Sequence, residues 1–356
     1  MQEESGFEEG KRLARPSRRG FVSGAAAFAL AAVLACGGLA GCSNADEGAS
    51  EDASAAADPV EVRVASLKGP TSIGLVSFMD EADAGETENT FEFTISGTAD
   101  EVVPGIVKGD YDIACVPANV ASVLYGKTEG GVSVIDVNTL GVLSVVTADP
   151  SVESFGDLAG RTVYMTGKGT TPEYVMGYLL DEAGIADQVT LEFKSEAAEV
   201  VSSLVADPSA VGVLPEPYTT AACTKNPDLA PVISLTEVWD EAAGGESQLV
   251  TGVTVVRNEF LEEHPEAVSE FLERHAASVE EVTADPAAAS ELVAGYGIVD
   301  AAPVAEKSIP SCNLVCLTGD EMKSSLSGYL QVLYDADPSS VGGELPGDDF
   351  YYIPAE

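Results

Sequence analysis

From residue 59 to about residue 256 the chain switches repeatedly between two hydrophobic periods, and each switch marks an element. Val60–Ser66 reads VEVRVAS, a strict apolar–polar alternation that predicts a half-buried strand. Lys68-Gly69-Pro70-Thr71-Ser72 turns this strand into a helix with Ile73, Val76 and Met79 on one face, and Thr71 or Ser72 supplies the N-cap. Thr90–Ile95 is a second strand. Thr98 caps a helix over Val102, Val103, Ile106 and Val107, which Gly109 and Asp110 stop. Tyr111–Val116 is an apolar run too short for a helix, as expected of a buried parallel strand. Pro117 opens the next helix, where its missing N–H costs nothing, and Asn119 lies in the first turn. Val132–Val137 and Gly141–Thr147 are further strands. This βαβαβ order predicts a doubly wound α/β sheet.

A second sheet is expected after Asp149. Strands at Thr162–Met165, Val189–Phe193, Val211–Leu214 and Leu229–Leu235 alternate with helices opened by Thr171-Pro172, by Ala197 and by Pro217. Gly252–Val256 is apolar again and crosses back to the first lobe. A long helix from His264 through Phe271 and Val279 follows, then helices at Ala287–Tyr296 and Met322–Tyr334, all expected to cover the first lobe. The organisation is therefore two doubly wound α/β lobes joined by a two-crossing hinge. Lobe 1 is 59–148 plus 251–356 and lobe 2 is 149–250, with hinges near Thr147–Pro150 and Val250–Gly252.

The stretch GTADEVVPGIVKGDYDIACVPANVASVLY, from Gly97 to Tyr125, resembles the first lobe of solute-binding proteins of bacterial ABC importers. The nearest type is the aliphatic-sulfonate, taurine, nitrate and thiamine-precursor group, with a type II periplasmic-binding-protein-like fold. The resemblance continues through Asn138-Thr139-Leu140-Gly141, Gly167 to Tyr174, Leu214-Pro215-Glu216-Pro217-Tyr218 and Thr251-Gly252-Val253. It implies a small-molecule ligand in the interlobe cleft and delivery to a permease whose ATPase is a separate subunit. It also implies a monomer without a cofactor or a catalytic residue.

Charge narrows the partners. The chain has 17 Lys and Arg against 59 Asp and Glu, a net charge of -42. That excludes a nucleic-acid footprint and adsorption to anionic lipid. Five of the bases fall in residues 1–41, where Ser17-Arg18-Arg19-Gly20-Phe21-Val22 resembles a twin-arginine export signal. The apolar stretch Phe21–Leu39 leads to Leu39-Ala40-Gly41-Cys42, which resembles a lipobox. Residues 1–41 read as a signal peptide and Cys42 as the lipidation site. Residues 42–58 lack large apolar side chains and read as a disordered tether on the outer face of the cell membrane.

Helix N-termini at the carboxyl ends of strands are where open α/β sheets bind ligands. Four junctions qualify: Lys68-Gly69-Pro70-Thr71-Ser72, Pro117-Ala118-Asn119, Lys168-Gly169-Thr170-Thr171-Pro172 and Pro215-Glu216-Pro217. Thr139 joins them through the resemblance. Lys68 and Lys168 either flank the cleft, which would suit an anion, or face solvent. The Gly167–Pro172 loop lacks the Ser or Thr after Lys that a Walker A loop needs. His264 and His275 read as surface residues, with no spacing that supports a metal site. Cys115, Cys223, Cys312 and Cys316 read as buried free thiols, and Trp239 as packing. Two other functions remain open on the sequence: an enzyme on the same bilobal fold, or a ligand sensor docked on a receptor.

The anchor is testable by intact mass. Cys42→Ala is expected to keep its leader and carry no lipid, and Arg18→Lys with Arg19→Lys to block export. An unmodified Cys42 in mature wild-type protein would overturn the anchor.

Overall fold

The computed structural model describes residues 58–245 and 247–354; the leader, Cys42 and all of the tether but Asp58 lie outside them. The first lobe opens with β1 (Glu61–Leu67), α1 (Pro70–Ile73), α2 (Val76–Ala84), β2 (Thr90–Ser96), α3 (Ala99–Lys108), β3 (Ile113–Pro117), α4 (Ala118–Lys127) and β4 (Val132–Leu140). The second lobe holds β5 (Leu143–Thr147), β6 (Thr162–Met165), α5 (Thr171–Glu182), β7 (Thr190–Phe193), α6 (Ala197–Ala206), β8 (Val211–Pro215), α7 (Tyr218–Lys225), β9 (Ala230–Ser234) and α8 (Leu235–Ala242). The chain returns through β10 (Val250–Arg257), α9 (Asn258–Glu263), α10 (Pro265–Ala284), α11 (Pro286–Gly295), α12 (Ala302–Ser308), β11 (Leu314–Leu317) and α13 (Gly319–Ala336).

The strand orders are β11-β4-β10-β3-β1-β2 and β7-β6-β8-β5-β9. Parallel strands β1, β2 and β3 in one sheet, and β6, β7 and β8 in the other, are joined by helices, as the alternation of periods predicts. The edge strand β11 runs against β4, and in each sheet one interior strand runs against both neighbours: β10 between β3 and β4, and β5 between β8 and β9. Each is the strand by which the chain arrives from the other lobe. It enters at the edge where the parallel strands end, so it must run backwards.

β5 therefore belongs to the second sheet. The crossing lies at Gly141-Val142, not at Thr147–Pro150, which is the far end of β5. An apolar run looks the same whichever sheet it enters, so the period does not reveal the switch. The return crossing falls at the start of β10, where Val250 pairs with Leu140 at the end of β4. Both connections between the lobes therefore lie side by side. Glycine is required beside each. A Cβ on Gly141 would come within 2.2 Å of Thr236 Oγ1, and one on Gly252 within 2.5 Å of Asn138 Oδ1.

One face of the first sheet is covered by α2, α9 and α10 through Leu75, Phe78, Met79, Phe260 and Phe271. Phe78 meets Phe91, Phe93 and Phe271 edge to face at 4.8, 5.2 and 5.7 Å. α11 extends this cover as expected, and so does α12, a helix that the sequence pattern did not reveal. α13 does more than expected: it packs on α4, β4 and β10 of the first lobe and on α5 of the second. Trp239 of α8 is fully buried in that seam, 5.0 Å from Tyr178 and 5.4 Å from Tyr329 between ring centres. Its indole Nε1 donates to Ser247 O at 3.2 Å. Its packing role agrees with the sequence reading. No helix among the described residues is long and apolar enough to cross a membrane.

Trp239→Ala is expected to cost about 3–5 kcal/mol, the range for emptying a fully buried aromatic site. A urea titration checks it. A loss below about 1 kcal/mol would mean that α8 and α13 do not depend on this contact.

Candidate functional site

All four predicted junctions lie at the carboxyl ends of parallel strands, but they present different groups. After β1, Gly69 takes φ 130°, a value that favours glycine, and lets the chain turn straight into α1. The hydroxyls of this junction turn inward. Ser72 Oγ donates to Leu67 O at 2.6 Å, and Thr71 Oγ1 donates to Leu67 O at 3.1 Å. Neither acts as an N-cap; Gly69 holds that position. Gly69 and Pro70 are buried and Lys68 is exposed.

Asn119 follows Pro117 and Ala118 in the first turn of α4 and is fully buried. Its Nδ2 donates to Ser340 O at 3.0 Å and to Gly169 O at 3.4 Å, and its Oδ1 accepts from Thr171 Oγ1 at 3.3 Å. Gly169 and Thr171 belong to the second lobe, so this one side chain bridges the two lobes. Thr139, on β4, is fully buried and donates to Asn138 Oδ1 at 2.9 Å. Thr71 and Asn138 both crowd the face of Gly252. Thr71, Asn119, Thr139 and Thr171 are thus buried polar residues near the interlobe seam.

The second-lobe loop is Gly167-Lys168-Gly169, with φ 81° at Gly167 and 76° at Gly169. Thr170 Oγ1 donates back to Gly167 O at 2.8 Å, so Thr170 closes the turn. The Gly169 N–H, which could have served an anion, donates instead to Glu173 Oε2 at 2.5 Å. The Lys168 side chain is exposed, with Nζ 5.9 Å from the centre of the Phe193 ring.

At the last junction Pro215 ends β8, and Glu216 N donates to Val142 O at 3.2 Å, which sets Glu216 against the crossing. A cis peptide joins Glu216 to Pro217. The Glu216 carboxylate accepts the Thr220 N–H at 3.2 Å in the first turn of α7. Burial pushes its carboxyl above the usual range, and the Thr220 hydrogen bonds only partly offset that. Its charge acts on Cys312, which reaches the seam from the first lobe.

One buried polar group of the first lobe was not expected. A row of side chains crosses the first sheet: Ser66 on β1, Cys115 on β3, Thr254 on β10, Asp136 on β4 and Cys316 on β11. Thr254 Oγ1 donates to Asp136 Oδ1 at 2.8 Å and accepts from Asn138 Nδ2 at 3.1 Å. His275 of α10 caps the row, with Nδ1 3.2 Å from Asp136 Oδ2. His275 is fully buried, which corrects its reading as a surface residue, while His264 is half-buried at the start of α10. The signal was present in the helix pattern. His275 stands four residues after Phe271 and four before Val279, on the buried stripe. The expected free thiols are found at Cys115, Cys223, Cys312 and Cys316, although Cys223 and Cys316 are only half-buried. Burial pushes the Cys115 thiol up to about 12.

Two surface depressions, one beside Ser247, Gln248 and Glu321 and one beside Asp149, Pro150 and Asp228, contain none of the predicted ligand residues. Both are open to solvent, and the seam offers the more enclosed chemistry.

Residues 131–289 match the family model described as NMT1/THI5 like. No curated protein matches the chain significantly in sequence. Among solved structures, the chain is similar to an ABC transporter protein from Parabacteroides distasonis, with a TM-score of 0.69 and 23% identity over 84% of this chain and 100% of that one. It is also similar to the periplasmic aliphatic sulphonate binding protein SsuA from Escherichia coli, with a TM-score of 0.66 and 13% identity over 84% and 94%. A third similar chain is the Candida albicans CA3427 product, described as having the generic periplasmic binding protein fold, with a TM-score of 0.54 and 14% identity over 82% and 93%. The fold is that of the periplasmic binding proteins, as the motifs implied.

Glu216 generates a pH prediction. Its folded-state pKa is raised, so its ionisation destabilises the fold. That penalty is absent below the unfolded glutamate value of about 4.3 and grows as pH rises toward and past the folded value. Glu216→Gln is therefore expected to be more stable than wild type at neutral pH, with the difference closing below about pH 4. Urea midpoints across pH check it. A difference that does not change with pH would overturn the assignment.

Proposed function

We propose that the chain is the solute-binding component of an ABC importer, held by a lipid on Cys42 at the outer face of the cell membrane. In this reading it works as a monomer. It captures a small molecule between its lobes, closes, and delivers it to a permease driven by a separate ATPase subunit. No bond is broken and no cofactor takes part. The observation that carries the reading is Asn119, a buried first-lobe side chain hydrogen-bonded to Gly169 and Thr171 of the second. A bridge of this kind belongs to a closed clamp, and the paired crossings beside Gly141 and Gly252 supply its hinge. The likeness in fold to an ABC transporter protein and to a periplasmic sulphonate binding protein supports the same role. An enzyme on this fold, or a sensor docked on a receptor, has no observation in its favour.

The ligand-binding set is proposed from Lys68 to Ser72, Pro117 to Asn119, Thr139, Lys168 to Thr171, Pro215 and Glu216. Within it, the geometry favours a solute with hydrogen-bond donors over a simple anion. Gly169 N–H is taken by Glu173, Thr220 N–H by Glu216, and Lys68 and Lys168 are exposed. The Glu216 carboxylate, which among the described residues accepts only from Thr220, instead offers acceptor oxygens at the seam.

A thermal-shift screen of sulfonates, nitrate, amino acids and pyrimidines is expected to give its largest shift with a donor-bearing solute. A ligand at a hundred times its dissociation constant adds roughly 2.7 kcal/mol. Calorimetry should then show Asn119→Ala and Thr171→Ala each weakening that solute by about 0.5–1.5 kcal/mol. Lys168→Ala should leave it unchanged. A sulfonate as best ligand, lost in Lys168→Ala, would reverse the preference while keeping the transport role. No binding by any class, with no contraction in solution scattering, would count against the clamp itself.

A further inference from the structure

We propose that Asp136, His275 and Cys316 form a binding site for a zinc-class transition-metal ion beneath the cleft. The three residues come from β4, α10 and β11 and are brought together only by the fold. Their donor atoms, a carboxylate oxygen, an imidazole nitrogen and a thiol sulfur, all lie within 4.8 Å of one another. Asp136 Oδ2 and His275 Nδ1 are 3.2 Å apart. Zinc sits about 2.0–2.2 Å from nitrogen and oxygen and about 2.3 Å from sulfur, so the edges of its tetrahedron are roughly 3.3–3.7 Å. The oxygen–nitrogen edge is close to the short end of that range, and the sulfur needs to close by about 1 Å at most.

The donor chemistry selects among metals. A thiolate beside an imidazole suits zinc and its neighbours in the transition series, whereas magnesium and calcium require oxygen ligands. Charge balance agrees. One carboxylate and one thiolate neutralise a divalent ion, and among the described residues Asp136 has no lysine or arginine partner. Three protein ligands leave a fourth position for water or a solute donor.

The shell behind the ligands is partly built. Asp136 Oδ1 accepts from Thr254 Oγ1, which accepts from Asn138 Nδ2, whose own Oδ1 accepts from Thr139. Such outer hydrogen bonds orient a ligating carboxylate. The same chain leads to Gly252 at the crossing, so a bound ion would stiffen the floor of the hinge. His275 Nε2 is buried without a partner, so the ring is held through Nδ1 alone. The inference does not depend on which solute the cleft takes. A purely hydrogen-bonded cluster is the competing description.

The test uses the full chain, stripped with a chelator and titrated with Co²⁺ as a spectroscopic stand-in for Zn²⁺. The expected result is saturation near one equivalent, with tetrahedral visible bands and a near-ultraviolet thiolate-to-cobalt band that Zn²⁺ displaces. Cys316→Ser should lose the near-ultraviolet band while keeping its circular dichroism and melting temperature. This variant is the decisive one, because Cys316 is only half-buried and substitution there leaves the core intact. Thr254→Val should weaken cobalt binding about 10- to 100-fold without removing the band. An absent thiolate band in wild type, or an identical band in Cys316→Ser, would overturn the site.

Discussion

Everything in this protein hangs on two short crossings placed side by side. Leu140, the last residue of β4, pairs with Val250, the first of β10, so the chain leaves and re-enters the first sheet at one point. Each incoming strand is forced to run against its neighbours, and that gives the two sheets matching orders with one reversed interior strand each, to which the first sheet adds the reversed edge strand β11. Close approach follows from the same constraint. Gly141 lies against Thr236, and Gly252 lies against Asn138 and Thr71. A side chain at Gly141 would press on α8, and one at Gly252 on β4 and α1, where the lobes must stay joined. The polar residues of the seam are arranged around this junction, and α13 spans it from outside.

The acid excess of the chain shapes its local chemistry as well as its surface. Helix N-termini expose unpaired N–H groups and about half a positive charge. In many proteins these groups meet an external anion. Here the chain supplies its own carboxylates: Glu101 to Gly97 and Thr98, Glu173 to Gly169, and Glu216 to Thr220. The termini are thereby stabilised before any solute arrives. At the seam this occupies the N–H groups of Gly169 and Thr220, whereas α1 and α4 begin without a side-chain cap.

The row from Ser66 to Cys316 shows a different use of polarity. Burying a carboxylate is costly unless its oxygens are satisfied. Asp136 meets that requirement with Thr254 on one oxygen and His275 on the other. The apolar faces around it, from Phe78 and Phe271 to Val279 and Val282, hold α10 down on the sheet and so fix the imidazole in place. A hydrophobic clamp thus positions a polar cluster that the cluster's own hydrogen bonds would not hold alone.

The amino-acid sequence by itself determined most element types, the two-sheet organisation and the four strand-to-helix junctions, but not α8, α9, α12 or β11. What it determined depends on period, caps and turn residues within short windows: Thr98 before its helix and Pro117 after its strand, although the N-cap after β1 proved to be Gly69 rather than Thr71 or Ser72. The packing role of Trp239 and the free state of the cysteines were legible in the same local way. Tertiary structure alone decided which sheet β5 joins, because Leu143–Thr147 is apolar enough for either. It also decided that Asn119 reaches Gly169 and Thr171, that Glu173 occupies the loop N–H, and that Asp136, His275 and Cys316 converge. Each of these joins residues distant in sequence through strand order and helix docking. A one-dimensional pattern records which face a side chain takes, but not which neighbour waits on that face.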